Sequence, residues 1–410
     1  MSRHALRAAA LAAAFLPALV EAAPLSFDLA LDLAVQRSEA VRAARAGVAG
    51  ASEAVRAAGQ LPDPMLRAGI DNLPITGGER LGTTRDSQTM KRISISQEWL
   101  SRDKRAARQA VAEAAAGREA IQVHAAVAEA RLQTALAYLD VYFASEVLKL
   151  TTLAERHVHE ELEASRARLA ASIGGSPEVL ALTAARGAAE DETAEVRQQQ
   201  SAAKVALQRW TGVSTDDMAT VPALPAPTEQ AYVNGSPAIL ALQRDIEVAR
   251  QSVAVAVSER KPNWTWELSY GQRTGYSDMV SFGVVIPLPV ALAERQDRET
   301  AAKRALVEKA EAALAEATRI ATAEYRALTS DALRLQERIE RHRSGVVTPS
   351  RQRTAAAMAA YRSNQASLAS VFEARHMEVG AQRKLLSLQR DFARTQAQLA
   401  FKSLAIGAAP

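Results

Sequence analysis

Internal self-similarity limits the fold of this chain more than any other feature. A run reading helix, strand, strand, very long helix, turn, helix occupies about residues 24–211 and returns in the same order at about 237–405. Pro62, ahead of a strand at 65–71, has its counterpart in Pro262, ahead of 264–270. The second strand at 91–100 answers to 280–289, and far downstream Glu178-Val179-Leu180 falls opposite Ser370-Val371-Phe372. The three offsets are 200, 189 and 192 residues, so spacing is kept while loops vary. A period this long marks a doubled architecture, and each half must be read as one unit of it.

The strands carry period-two alternation. Trp264-Thr265-Trp266-Glu267-Leu268-Ser269-Tyr270 has one aromatic or aliphatic face and one polar face. The run 280–286 repeats this with Val285 as the exception, 93–99 lapses once at Gln97, and 66–71 is weaker but consistent. Strands of about ten residues, apolar outward and polar inward with aromatic rings near their ends, are typical of outer-membrane barrels. A half-buried sheet in a soluble domain would alternate in the same way. For a barrel, Arg67, Asp71, Glu98 and Glu267 are expected toward the lumen, and Leu66, Ile70, Trp99, Trp264, Trp266 and Phe282 toward lipid. Four strands cannot close, and an open edge in hydrocarbon leaves backbone groups unpaired. Two copies supply eight strands, whose interior fills with side chains; three supply twelve, enough for a water-filled bore.

The helices are too long for a compact domain. After Ser101, a suitable N-cap, the chain runs without proline to Ile173, about 70 residues or about 105 Å at 1.5 Å per residue. Gly174-Gly175-Ser176-Pro177 supplies a stop, a turn and a proline for the first turn of the next helix, which runs to about Trp210. A further helix is expected from 26–59. In the second half, 291–345 is helical, Pro349 marks a break near 345–348, and the helix resumes to Tyr361, turns near Ser363-Asn364 and continues to about Leu404. A coiled coil would show sustained Leu or Ile heptads. Here Ala dominates and drifts round the helix, at Ala106, Ala110, Ala114, Ala120, Ala126 and Ala130. Small residues on two stripes suit a helix packed on both sides, as in a cylinder wall.

Arg3 and Arg7 followed by the apolar 8–20 and Val20-Glu21-Ala22 read as a signal peptide cleaved after Ala22. A transmembrane anchor is disfavoured, since 6–20 offers only 15 residues with Pro17 inside, against the roughly 20 that span a bilayer. The chain has no cysteine, which excludes a lipoprotein anchor, disulfide staples and thiol chemistry. Loss of Arg3, Arg7 and Glu21 takes the formal charge from +4 to +3. Basic and acidic residues are interspersed, so nucleic acid is not a partner. Aromatic residues make up only 4%, too few for a conventional core of this length. His157 and His159 point about 200° apart on a helix of 3.6 residues per turn, and His124, His342 and His376 are isolated. No metal site, cofactor or catalytic constellation is expected, and the chain is not read as an enzyme.

Taken in order, these motifs resemble the TolC family of outer-membrane efflux proteins, most closely its cation-efflux (CzcC-like) branch. The residues that carry the likeness are Gln60-Leu61-Pro62-Asp63-Pro64, Asp71-Asn72-Leu73-Pro74 and the run 90–99 leading into Lys104-Arg105. In the second half they are Ser236-Pro237-Ala238, Arg260-Lys261-Pro262-Asn263-Trp264 and 361–374. The fold so implied is mainly α with a membrane β-barrel portion: a tandem repeat giving four strands and long helical hairpins per protomer. Three protomers would form a 12-stranded barrel and a 12-helix periplasmic α-barrel. Its division is signal peptide 1–22, first repeat 23–211, inter-repeat linker or equatorial segment 212–236, second repeat 237–405 and tail 406–410. The expected strands are 64–72, 90–100, 263–272 and 279–289, and the helices 103–173, 177–211, 291–361 and 365–404.

The resemblance implies a homotrimer in the Gram-negative outer membrane with helices reaching into the periplasm. It would dock onto a periplasmic adaptor and an inner-membrane pump of the resistance-nodulation-division (RND) type, exporting heavy-metal cations or small toxic compounds. The duct of a type I protein-secretion system and a soluble periplasmic coiled-coil adaptor or scaffold are the alternatives. The family has Gly where this chain has Asn364, while the first turn carries Gly174-Gly175, with Ser172 in the ungapped register; the register of that tip stays open by about two residues. The tips at 171–178 and 362–370 would converge, close the pore at rest and swing outward on adaptor contact. Gate and adaptor candidates are Arg168, Gly174, Gly175, Ser176, Pro177 and Glu178 at the first tip, and Arg362, Asn364, Ser367, Ser370 and Glu373 at the second.

Overall fold

The computed structural model describes residues 24–172, 175–215 and 217–404. The expected signal peptide, Gly174 and the tail at 406–410 lie outside the described residues. The N-terminal segment forms two helices rather than one, α1 (Phe27–Arg37) and α2 (Glu39–Ala58). Ser38 is the reason. It ends α1 in an extended conformation, and its Oγ accepts the Val41 N–H at 3.3 Å to start α2, a serine's preferred place at a helix start.

Strands β1 (Met65–Asp71), β2 (Met90–Trp99), β3 (Trp264–Gln272) and β4 (Met279–Val285) form one antiparallel sheet in the order β1-β2-β3-β4. Its central pair joins the two repeats, from Lys91 opposite Gln272 to Trp99 opposite Trp264. β4 stops short of the expected 289 because Pro287 and Pro289 have no N–H to give a ladder. Turns over 290–295 then delay the next helix to Gln296, five residues later than expected.

α3 (Arg102–Ala170) is an unbroken helix of 69 residues, with Ser101 Oγ accepting the Lys104 N–H at 3.3 Å. α4 (Ser176–Thr211) ends at Gly212, whose φ of 74° is left-handed and cheap only for glycine. α5 (Glu229–Asn234) lies in the inter-repeat segment and α6 (Pro237–Ser258) opens the second repeat, followed by α7 (Gln296–His342), α8 (Thr348–Arg362) and α9 (Leu368–Phe401). Between α7 and α8 the expected break takes the form of a π-helical turn, Arg343–Val347. Pro349 has no N–H for an ordinary helical bond, and the wider turn lets the Thr348 N–H and Oγ both reach the Arg343 carbonyl.

Near the sheet the helices pack in the order α2-α3-α6-α7; farther away α4 and α9 flank α3, and α9 also meets α7 and α8. The largest buried cluster lies midway along α3, where Leu25, Phe27, Ala30 and Leu31 meet Ala135, Tyr138 and Leu139. The Phe27 and Tyr138 rings meet edge-on at 5.2 Å, and the Tyr138 hydroxyl donates into a site offering the Leu25 and Ala219 carbonyls, each at 2.8 Å. By contrast α7 buries only Thr300 and Ala321 among its 47 residues, and α8 buries none. At the other end of that order α2 buries only Val41, so the chain leaves a bare helix on each flank.

Candidate functional site: sheet faces, junction and tips

Strand register sorts the sheet into two chemically distinct faces. Leu66 stands opposite Ile95, Ile95 opposite Leu268, and Leu268 opposite Phe282, an apolar row across all four strands. One residue along, Arg67, Ser94, Ser269 and Ser281 form a polar row. Directly opposed residues share a face and successive residues alternate. Leu66, Ile70, Trp99, Trp264, Trp266 and Phe282 therefore share one face, and Arg67, Asp71, Glu98 and Glu267 share the other. Leu66 and Phe282 are 72% and 70% exposed, too much large apolar surface for a sheet standing in water. On the apolar face the Trp99 and Trp264 rings pack 6.0 Å apart at the helix-proximal end, with Tyr270 toward the other end. On the polar face Arg92 pairs with Asp71 at 2.9 Å.

Where strands become helices, charges cross-link the repeats. The Lys104 ammonium, only 2% exposed, donates to Glu259 at 3.0 Å and to Asn263 Oδ1 at 2.6 Å. Asn263 passes the link on, its Nδ2 donating to Glu98 at 2.8 Å. Arg108 adds a second contact to Glu259 at 3.0 Å, and Lys261 pairs with Asp103 at 2.9 Å. Partial burial raises the Glu259 carboxyl, but hydrogen bonds from Lys104 and Arg108 outweigh it and hold it below the usual carboxylate range. Sequence reading named Glu98 only as a strand residue and missed this junction. Its members lie more than 150 residues apart, and no spacing rule connects them.

At the far end, each hairpin turn has a non-glycine in the left-handed region among the described residues, Ser172 at φ 60° and Asn364 at φ 63°. They are 192 residues apart, the offset that also relates Val179 to Val371, so the ungapped register holds and Ser172 matches Asn364. Gly175 precedes α4 as its N-cap with Pro177 in the first turn. Ser367 caps α9, its Oγ accepting the Ser370 N–H at 3.3 Å. Leu162, Leu182 and Leu368 are buried together, with Val179, Tyr361 and Phe372 around them, so the two tips of one chain lie side by side.

The candidate charges at the tips are distributed unevenly. The Arg168 guanidinium donates to the Tyr361 hydroxyl at 3.1 Å and lies over that ring. Glu373 pairs with Arg353 at 3.0 Å. Arg362 joins no ion pair among the described residues, and Glu178 keeps a buried Oε1 without a hydrogen-bond partner. Two further pairs that the sequence did not reveal also tie helix to helix, Arg375 with Glu161 and Arg383 with Glu192. Burial pushes the Glu161 carboxyl up, and the neighbouring Arg375 only partly offsets it. Beside that pair, His157 and His376 line a groove of about 320 Å³. Among the described residues no three His, Asp or Glu side chains converge as a metal site would need, and no helix is long and apolar enough to cross a membrane.

No protein-family model matches the chain, and no curated protein matches it in sequence. Solved structures match it in fold along nearly its whole length. The outer membrane protein VceC of Vibrio cholerae superposes with a TM-score of 0.73 at 20% identity, over 92% of this chain and 94% of that one. The CmeC outer membrane channel of Campylobacter jejuni gives 0.76 at 13% identity, over 92% and 85%. The open state of the MtrE outer membrane channel of Neisseria gonorrhoeae gives 0.76 at 16% identity, over 92% and 88%. The chain has the fold of these outer-membrane channels: long helices carrying a small antiparallel sheet.

Proposed function

We propose that three copies of this chain assemble into an outer-membrane exit duct. Twelve strands would form the pore through the membrane, and twelve helices a conduit through the periplasm. One observation carries the reading: a four-stranded sheet with one apolar face and two unpaired edges of opposite strand direction. β4 of one copy can therefore pair antiparallel with β1 of the next around an axis normal to the membrane, and three such joints satisfy every edge. The apolar face would meet lipid, with its aromatic rings at the two boundaries, and the polar face the lumen. The bare flanks of α7 and α2 lie on the same two sides of the protomer as those edges. A soluble scaffold would leave both edges and the apolar face in water.

No residue performs chemistry in such a duct. Passage depends on bore, lining and gate, and the paired tips are the gate. An adaptor that binds the open arrangement better than the closed one would shift the tips outward. The partners are then a periplasmic adaptor and an inner-membrane RND pump, with heavy-metal cations or small toxic compounds as cargo selected upstream. Purification in detergent followed by mass measurement and planar-bilayer recording tests this. Three chains per particle and discrete conductance steps are expected. A monomer that stays in solution without detergent overturns the reading.

A further inference from the structure

The helical conduit carries a charge pattern that bears on its cargo. α4 and α9 pack on α3 from either side and leave between them a groove of about 1210 Å³. Arg209, Arg383, Lys384, Arg390 and Arg394 line it, with Asp140 the one carboxylate among the lining residues. Arg394 holds Asp140, both carboxylate oxygens at 2.6 Å, while Arg383 pairs with Glu192 and Arg390 with Asp391 at 3.0 Å. Arg209 lies over the Trp210 ring at 5.0 Å, and neither it nor Lys384 joins an ion pair among the described residues. Five cations against three carboxylates leave each chain with two positive charges in excess here.

The phase of α3 indicates which way this groove faces. Tyr138 meets α1 and the 217–221 segment, through Phe27, Leu25 and Ala219. At 100° per residue, Leu136, Asp140 and Val147 stand roughly 160°, 200° and 180° from Tyr138, on the opposite side of the helix. The second repeat has a matching cover, with Tyr325 donating to the Pro227 carbonyl at 2.9 Å and its ring tilted against that of Tyr232, centroids 5.4 Å apart. Two such covers per chain make six in a trimer. Placed inside the cylinder they would fill the bore, so they belong outside as a belt, and the groove opposite them faces the lumen.

Building on the duct reading above and choosing between its two cargo classes, we infer that the conduit wall carries a ring of excess positive charge and favours small anionic compounds, organic carboxylates, sulfonates or phosphates, over bare metal cations. Three chains place six uncompensated charges at one level of a confined, water-filled passage, where a field of one sign concentrates counter-ions.

Planar-bilayer recording of the full protein in a potassium chloride gradient tests this inference. Chloride is expected to permeate better than potassium by about two-fold or more at 0.1 M salt, with the ratio falling toward one at 1 M as screening sets in. The exposed pair Arg209→Gln with Lys384→Gln should bring the ratio to about one or below without loss of conductance. Lys149→Gln removes a charge roughly 20° from Tyr138, on the outer side of α3, and should leave the ratio unchanged. A conducting wild-type pore that prefers potassium, or an equal response to Lys149→Gln, overturns the inference and leaves the duct intact. Absence of any conductance overturns both.

Discussion

At the scale of single residues, Lys104 shows how a polar group becomes structural. Its ammonium is out of water yet meets a carboxylate and an amide oxygen, so its burial is compensated. Removing it strands the Asn263 amide oxygen and leaves Glu259 with Arg108 alone at the seam between repeats. Lys104→Met is expected to lower stability to thermal unfolding in detergent by about 3 kcal/mol, and an unchanged melting curve would show the seam to be idle. Ser172 makes a second test. A left-handed residue other than glycine costs about 1–2 kcal/mol. Ser172→Gly should therefore stabilise the tip by about that much, whereas Ser172→Val should not, as read by amide exchange over 165–182.

Among elements, the sheet separates two substitutions that look alike in sequence. Phe282→Lys places a charge on the apolar face at mid-strand and is expected to cost about 2–4 kcal/mol of membrane stability, while the adjacent Ser281→Lys should be tolerated. Denaturant unfolding in liposomes separates the two, and equal effects would mean that the faces are misassigned. The helical tip and the junction should respond to pH with opposite sign. Glu161 has a raised carboxyl, so its contribution is fully present below the ordinary glutamate range and is lost as pH rises through the raised value. Acidifying from neutral should slow amide exchange in α3 around 158–165, and Glu161→Gln should abolish that response. Glu259 has a lowered carboxyl; its contribution is present above the ordinary range and is lost only as pH falls through the lowered value, in strong acid.

For the whole molecule, unfinished surfaces dominate. Leu306 and Ile320, two heptads apart on one face of α7, are 48% and 59% exposed. Leu306→Glu with Ile320→Glu is expected to turn trimers into monomers in detergent, measured as particle mass. Persistence of trimers would show that α7 turns that face to solvent. Elongated helices with little core of their own are stable only when neighbours cover them, as in other repeat architectures. Stability and assembly are then one quantity, and melting should depend on protein concentration.

The repeat, the four strands, their alternation and the second tip turn could be read directly from the sequence, because each is a local pattern: period two, a proline-free run, an asparagine where the backbone turns left; the left-handed Ser172 of the first tip carried no such signal. Helix length followed from the same signals, since nothing between Arg102 and Ala170 interrupts hydrogen bonding. Local pattern failed where one residue serves two roles, as at Ser38, or where prolines beyond a strand end it early, as Pro287 does for β4; at Pro349 it gave the break but not its π-helical form. Tertiary structure alone decided the Lys104–Glu259–Asn263–Glu98 seam, the Arg375–Glu161 tie and the basic groove. These join side chains from distant parts of the chain, and their meeting depends on how far each helix has turned when it reaches its neighbour.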